Sequence, residues 1–347
     1  MNLSHMQPLK ILLMPLSAAI LFVCVQTSRA QTTQHPQPAS DEVLTKNLLS
    51  SAGPTFRIDD KDLSKKWSLI AYGDMRFTDP TNEKVTNPKV RRWLVDRVAA
   101  EHPDAVLLSG DVPYSGNVEN DYEVYHQETE IWRTNKLRIY PAMGNHELHG
   151  DEVLEPKNWW NAFPELKARR WYSVQMGTAY IITVDSNLSL LPGSKQHDWV
   201  LEQLAKLPKS TKYVFFSLHH PPVADSIDGD HSHDVRPNER ALADLLEKRA
   251  PSTKARFIVI AGHIHNYQRF LENDVTYLVS GGGGAKPYPI ARTPADKFQD
   301  PIFPNYHYIK FIYDGTTLSA KMYRVQDPTA SAPTYEERDA FTIELPK

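Results

Sequence analysis

Short apolar runs alternate with amphipathic stretches from residue 67 to about residue 261, and then the alternation stops. Trp67-Ser-Leu-Ile-Ala-Tyr72 is apolar throughout and predicts a buried strand. After Pro88, the residues Val90, Trp93, Leu94, Val95 and Val98 recur at helical spacing. The same reading gives a strand over 104–109, a helix over 120–135, a strand over 137–142 and a Trp-rich helix near 157–163. Segments 171–174 and 179–185 predict a hairpin around Gly177. A helix over 195–206 leads into a strand over 212–218, and a helix over 237–249 into a strand over 256–261. Beyond Gly262 the texture changes. A strand over 277–280 ends in four glycines, a Pro-rich stretch covers 286–305, and 306–313, 317–324 and 339–345 read as antiparallel strands. Strand–helix alternation followed by strands implies a mixed α/β architecture. The chain shows no internal repeat and no heptads. One domain over 67–347 is the simplest account.

The first 66 residues have another character. Lys10 precedes an almost wholly apolar run, Ile11 to Val25, and Ser28-Arg29-Ala30 supplies small residues for cleavage before Gln31. That is the pattern of a signal peptide over 1–30, so a secreted or periplasmic chain is expected. The run is short for a membrane span, and no stable membrane insertion is expected; a retained, tilted anchor is the alternative. Residues 31–66, rich in Gln, Thr and Pro and then weakly helical over 41–50, read as a mobile leader and an N-terminal arm. The single cysteine, Cys24, lies inside the apolar run. The cleaved chain then has neither a disulfide nor a thiolate ligand, and must rely on a large core. Lys10 and Arg29 leave with the signal, so 37 basic side chains face 42 acidic ones. With no basic run, nothing argues for nucleic-acid or anionic-lipid binding.

Chemistry collects where the apolar runs end. Five segments do this: Gly73-Asp74-Met75-Arg76, Gly110-Asp111-Val112-Pro113-Tyr114, Gly144-Asn145-His146-Glu147, His219-His220-Pro221 and Gly262-His263-Ile264-His265. A buried sheet delivers such side chains to one rim. Gly-Asp alone is a common turn, and His-x-His is common on surfaces; the ordered set of five is neither. Asp, Asn, His and Tyr together suit a pair of first-row transition metals, and a metal pair implies hydrolysis at phosphorus. His263 and His265, two apart on an extended segment, would point the same way. Asn145 offers a neutral oxygen, while His146 would face substrate, with Glu147 placed to hydrogen-bond it and fix its tautomer.

This ordered set resembles the signature of the calcineurin-like metallophosphoesterase superfamily, and within it most resembles the purple acid phosphatase branch. The likeness spans about 67 to 284. It implies a four-layer αββα sandwich, two mixed β-sheets flanked by helices. It implies that Asp74, Asp111, Tyr114 and His265 hold a first metal, and Asp111, Asn145, His219 and His263 a second, with Asp111 bridging. His146 matches the outer-sphere catalytic histidine. Tyr114 sets the branch: many relatives place a metal-binding His where this chain has Arg76, and the purple phosphatases use a Tyr three residues after the bridging Asp instead. The resemblance implies Fe(III) at the Tyr114 site, and Zn, Fe(II) or Mn at the other. The implied activity is hydrolysis of a phosphorylated small molecule by metal-bound hydroxide, phosphomonoesters first. A phosphodiesterase or nucleotidase of the same superfamily would share these ligands. A secreted binding protein with a relic site is the alternative of another class, but a relic should have lost a ligand and none is missing.

The chain also departs from that branch. Arg76 stands where Gly is usual; it either binds phosphate oxygens or pairs with Asp79 or another acid. The large N-terminal β-domain of the plant enzymes is absent from it. The loop Asp228-Gly-Asp-His231-Ser-His233-Asp234 differs, and one of its His residues is either a substrate-facing acid or part of a solvated loop. Gly281–Gly284 either lets backbone approach the site or forms a turn. His126, His149, His197 and His307 have no context that sets them apart.

Overall fold

Tyr213–Ser217 sits between two cores. Tyr213 and Phe215 join one apolar cluster, and Val214 and Phe216 join another. This is the period-two alternation of a strand covered on both faces. Arg256–Ala261 repeats it, with Ile258 and Ile260 on one side and Phe257, Val259 and Ala261 on the other. A computed structural model describes residues 53–59, 61–150, 154–167 and 169–346. These belong to one compact unit, Pro36–Lys347. The expected signal peptide, its cleavage site, the leader to residue 52 and the weak helix over 41–50 lie outside the described residues.

In chain order the elements are β1 (Thr55–Ile58), β2 (Trp67–Tyr72), α1 (Pro88–Ala100), β3 (Ala105–Leu108), α2 (Glu119–Glu128), α3 (Glu130–Thr134) and β4 (Ile139–Pro141). Then come α4 (Leu154–Ala162), β5 (Tyr172–Met176), β6 (Ala179–Thr183), α5 (Lys195–Ala205), β7 (Tyr213–Ser217), α6 (Pro237–Arg249) and β8 (Arg256–Ala261). The last are β9 (Tyr267–Glu272), β10 (Val275–Ser280), β11 (His307–Tyr313), β12 (Leu318–Val325) and β13 (Tyr335–Ile343). They form two mixed sheets, in the orders β1-β5-β6-β7-β8-β10-β9 and β13-β12-β11-β2-β3-β4. Strands β6, β7, β8 and β10 run parallel, as do β2, β3 and β4. The two sheets share a core, in which Phe215 meets Phe311 edge-on at 5.2 Å and Trp67 stacks on Tyr313. Helices α5 and α6 cover the outer face of the first sheet through Trp199, Val200, Leu242 and Leu246. Helix α1 covers the second, where Trp93 O accepts from Tyr335. The four-layer arrangement expected from the resemblance is present.

Three differences from the sequence reading have physical causes. The expected helix over 120–135 is two helices, because Thr129 leaves the helical range at φ −97°, ψ 15°, where its hydroxyl also donates to Tyr125 O four residues back. Residues 55–58, read as part of an arm, are an edge strand parallel to β5; four residues are too few for a period to show. Strand β9 was missed because it is an edge strand, with polar and apolar residues mixed, paired only to β10.

Candidate metal centre

All five segments leave the strand ends on the same rim. The loop after β2 and the loop after β3 run side by side: Asp74 N donates to Gly110 O, Arg76 N to Asp111 O and Phe77 N to Val112 O. That pairing forces unusual backbone. Asp74, Arg76, Asp111 and His263 all have positive φ, between 51° and 71°. Left-handed non-Gly residues cost free energy and gather where function holds them. Two glycines explain how the carboxylates are reached. A Cβ at Gly144 would lie 2.3 Å from Asp111 Oδ1, and one at Gly281 would lie 2.9 Å from Asp74 Oδ2. The four-glycine run is therefore a close-packed backbone beside Asp74.

Asp74 and Asp111 are fully buried. Burial, and then the charge of Asp111, pushes the Asp74 carboxyl up to about 7. Burial also opposes ionisation of Asp111, but His219, His146 and Arg76 beside it outweigh that and hold its carboxyl below the usual range. The imidazoles then set a problem. His219 Nδ1 lies 2.9 Å from Ser109 O, and a carbonyl only accepts, so Nδ1 carries the proton. His219 Nε2 keeps its lone pair, yet it faces Asn145 Oδ1 at 2.9 Å, Asp111 Oδ1 at 3.2 Å and His263 Nδ1 at 3.2 Å. His263 Nδ1 in turn lies 3.1 Å from Asn145 Oδ1. His265 repeats the motif: Nδ1 donates to Lys286 O at 2.7 Å, while the buried Nε2 has no hydrogen-bond partner and lies 3.5 Å from Asp74 Oδ1. Metal-ligand atoms converge in two places, and within the chain only a proton on His263 Nδ1 or on Asp74 could come between them. A cation in each place resolves both conflicts, and the backbone carbonyls are the outer partners that orient metal-binding imidazoles. The donor set therefore fits two cations. Burial first, and then neighbouring cationic groups, lowers the His263 pKa and takes that of His265 to about 3, which keeps both neutral and able to ligate.

Some expected roles need correction. Glu147 does not touch His146. Its carboxylate accepts from the amides of Asp111, Val112 and Gly144, pinning two loops together. The His146 tautomer is set instead by Tyr114 O, 2.5 Å from Nδ1. His146 Nε2 then faces Asp111 Oδ2 at 3.8 Å. His263 and His265 do not sit on an extended segment. They share the site through successive tight turns, with Ile264 N bonded to Gly262 O and Asn266 N to Ile264 O. His231 is exposed and bonded to Asp234, outside the cluster. His233 is in it, its ring 4.5 Å from His263. Arg76 pairs with Asp111, not Asp79. The half-buried Tyr114 packs its ring 5.5 Å from that of His146.

Sequence reasoning missed three residues. His220 and His263 help line a cavity of about 200 Å³ together with Asn145, His233 and Arg236. The His149 ring lies 4.1 Å from that of His146. Tyr288 stacks on His265 at 4.3 Å and neighbours Arg76. Position next to a recognised segment could have flagged the two histidines. Nothing in the Pro-rich stretch marks Tyr288.

A model of the calcineurin-like phosphoesterase family matches residues 78–267. The chain belongs to that family. Among curated proteins it is similar to purple acid phosphatase 15 of Arabidopsis thaliana, 24% identical over 255 residues, covering 62% of this chain and 44% of that protein. The chain spans about half the length of the curated relatives it matches. Among solved structures it is similar to a purple acid phosphatase from yellow lupin (Lupinus luteus) seeds, with TM-score 0.63 and 18% identity, covering 79% of this chain and 54% of that one. It also resembles GAP50, the anchor in the inner membrane complex of Plasmodium, with TM-score 0.56 and 14% identity, covering 82% and 90%. At these identities the structures speak for the fold alone.

Proposed function

We infer that this chain hydrolyses phosphoric monoesters of small molecules at a two-metal site. Asp74, Asp111, Tyr114 and His265 would hold one cation, and Asp111, Asn145, His219 and His263 the other. The observation that carries this reading is the pair of lone-pair conflicts at His219 Nε2 and His265 Nε2. Fe(III) suits the site with the phenol oxygen of Tyr114, and Zn, Fe(II) or Mn suits the other, whose donors are neutral apart from Asp111. When bound, the cations would supply Lewis acidity and an activated water. His146 would meet charge developing on the phosphoryl group or on the leaving oxygen, because its Nδ1 is engaged and its Nε2 faces the bridging carboxylate. His233 would stand on the leaving-group side, lining the cavity beside His263. Glu147 would act only by holding the loops.

Export is part of the same proposal. It rests on the apolar run 11–25 and on Ser28-Arg29-Ala30. Among the described residues, no helix is long and apolar enough to cross a membrane. Amino-terminal sequencing of the mature protein should return Gln31. The activity is tested by loading the purified full chain with metal, measuring metal content and assaying mono- and diesters. Turnover of monoesters by protein holding two metals is expected. Two bound metals with no turnover of any ester would favour the binding-protein alternative. Preferred turnover of diesters would move the chain to the phosphodiesterase uses of the fold.

A further inference from the structure

Two arginines near the rim are built differently. Every nitrogen of the Arg91 guanidinium has a partner: it meets both oxygens of Glu128, at 2.6 and 2.9 Å, and also donates to Arg76 O and Thr78 O. The fork-to-fork geometry is the strong form of this pair. Arg76 makes one long contact, 3.3 Å from Nη2 to Asp111 Oδ2, and its charge acts on the neighbouring Tyr288 hydroxyl. Its Nε is buried and has no hydrogen-bond partner. A buried guanidinium N–H without an acceptor is costly, and native structures leave few of them. Arg76 is also strained, at φ 51°, where a glycine would rest without cost. The fold therefore spends backbone strain to keep an under-satisfied cation beside Asp74, Asp111, His146 and His265.

We propose that Arg76 is a phosphoryl-binding and specificity-determining residue, held in place by Tyr288, and that it selects phosphomonoester dianions over diesters. The inference rests on the phosphoesterase reading above. Its chemistry is simple. A monoester carries a second negative charge and a third non-bridging oxygen; a diester has a substituted oxygen in that place. A guanidinium with an unused N–H offers a charge-assisted bond to the oxygen that only the monoester has. Tyr288 is a positioning residue. It stacks on His265 with planes 15° apart and its hydroxyl neighbours Arg76, so it stands between the guanidinium and a ligand imidazole.

The test uses the metal-loaded full chain and Arg76→Gly, which relieves φ strain and so should fold. Metal content is measured first, then binding of inorganic phosphate by calorimetry, then kcat/KM for a monoester and a diester. With metal content unchanged, phosphate binding should weaken at least about tenfold, and monoester kcat/KM should fall by about 10²-fold. Diester kcat/KM should fall by less than about tenfold. Arg76→Lys should recover charge but not the fork, and so only part of the phosphate affinity. Tyr288→Phe should weaken phosphate binding a few-fold and raise KM more than it lowers kcat. If Arg76 merely offsets two buried carboxylates, Arg76→Gly will alter stability or metal uptake and leave phosphate binding and the monoester-to-diester ratio unchanged; that result overturns the proposal. If the wild type turns over no ester, weakened phosphate binding in Arg76→Gly still upholds the clamp while the phosphoesterase reading falls.

Discussion

His307 and His265 begin alike and end differently. Both are buried, and both give the Nδ1 proton to a backbone carbonyl, Asn305 O in one case and Lys286 O in the other. In the core, His307 Nε2 lies 3.1 Å from Ser280 Oγ, a hydroxyl that can donate, and the ring is satisfied. At the rim, His265 Nε2 has only a carboxylate oxygen before it, and His219 Nε2 faces two oxygens and His263 Nδ1. A buried polar group in a stable core finds its partner within the chain. Tyr72 Oη and Ser217 Oγ also stand without one, but at the rim the unpartnered atom is a metal-ligand type that faces a carboxylate. The same contrast separates Arg91 from Arg76. The rim gains function by leaving valences open, and the fold holds them open with strained backbone at Asp74, Arg76, Asp111 and His263.

The hardest way to break the comparison is to remove the shared carboxylate. Asp111→Asn should lose bound metal and fall to background activity, because one oxygen faces His219 and the other faces Arg76 and His146. Metal analysis beside a chromogenic ester assay checks it. Normal metal content in an active variant would end the two-metal reading.

His146→Ala should act more narrowly. His146 lies beside Asn145, yet its own Nδ1 is engaged by Tyr114 O. Both metals should stay, and kcat should fall by about 10²–10⁴. Esters with good leaving groups should suffer least if the residue serves proton transfer; an equal loss across leaving groups would indicate charge stabilisation. Loss of metal in this variant would mean that the third segment is wrongly assigned.

How far the sequence alone reached follows from the same contrast. Apolar periodicity located the central strands and the helices that cover them, since burial on both faces demands uninterrupted apolar runs. Asp74, Asp111, Asn145, His219, His263 and His265 were legible because each follows such a run. Strands β1 and β9 lie at edges, where composition is free, and they left no pattern. The partners of Glu147 and Tyr288 depend on loops far apart in sequence meeting at the rim. Nor could the sequence choose between His231 and His233, which differ only in where one loop turns.

Comparing the two histidines directly needs stability rather than rate. His307→Ala should leave metal content intact and destabilise the chain by about 2–4 kcal/mol, because it opens a cavity and strands Asn305 O. His265→Ala should cost metal at one position while destabilising the metal-free chain less, since the deleted Nε2 made no bond. Chemical denaturation of the metal-free variants, with metal analysis of the loaded ones, reads both. Equal destabilisation of the two metal-free variants would show that the open valence at the rim is no different from the closed one.

The smallest effect is in pH, and Asp74 gives it the opposite sign to the buried histidines. Burial takes the His307 pKa to about 4, against roughly 6.5 in an unfolded chain. Between those values the unfolded chain binds more protons, so this residue makes stability rise with pH from about 4 to 6.5. His146 and His265, also lowered by burial, act in the same sense. Asp74 opposes them. Its folded pKa of about 7 lies above the unfolded value, so the folded state binds more protons and stability falls as pH rises from about 4 to about 7. A cation that favours ionised Asp74 should remove this opposing term. Metal-loaded protein should therefore show a steeper rise of Tm with pH over that window than metal-free protein. The stabilisation gained on adding metal should grow up to about pH 7 and then level off. Each kcal/mol is worth about 1–2 °C in a chain of this size, so thermal melts at half-unit pH steps resolve it. His307→Ala should flatten the rise equally in both forms, because its valences are closed with or without metal. A metal-induced gain that is constant from pH 4 to 7 would show that Asp74 is ionised before the metal arrives, and that its burial is compensated within the chain as fully as that of His307.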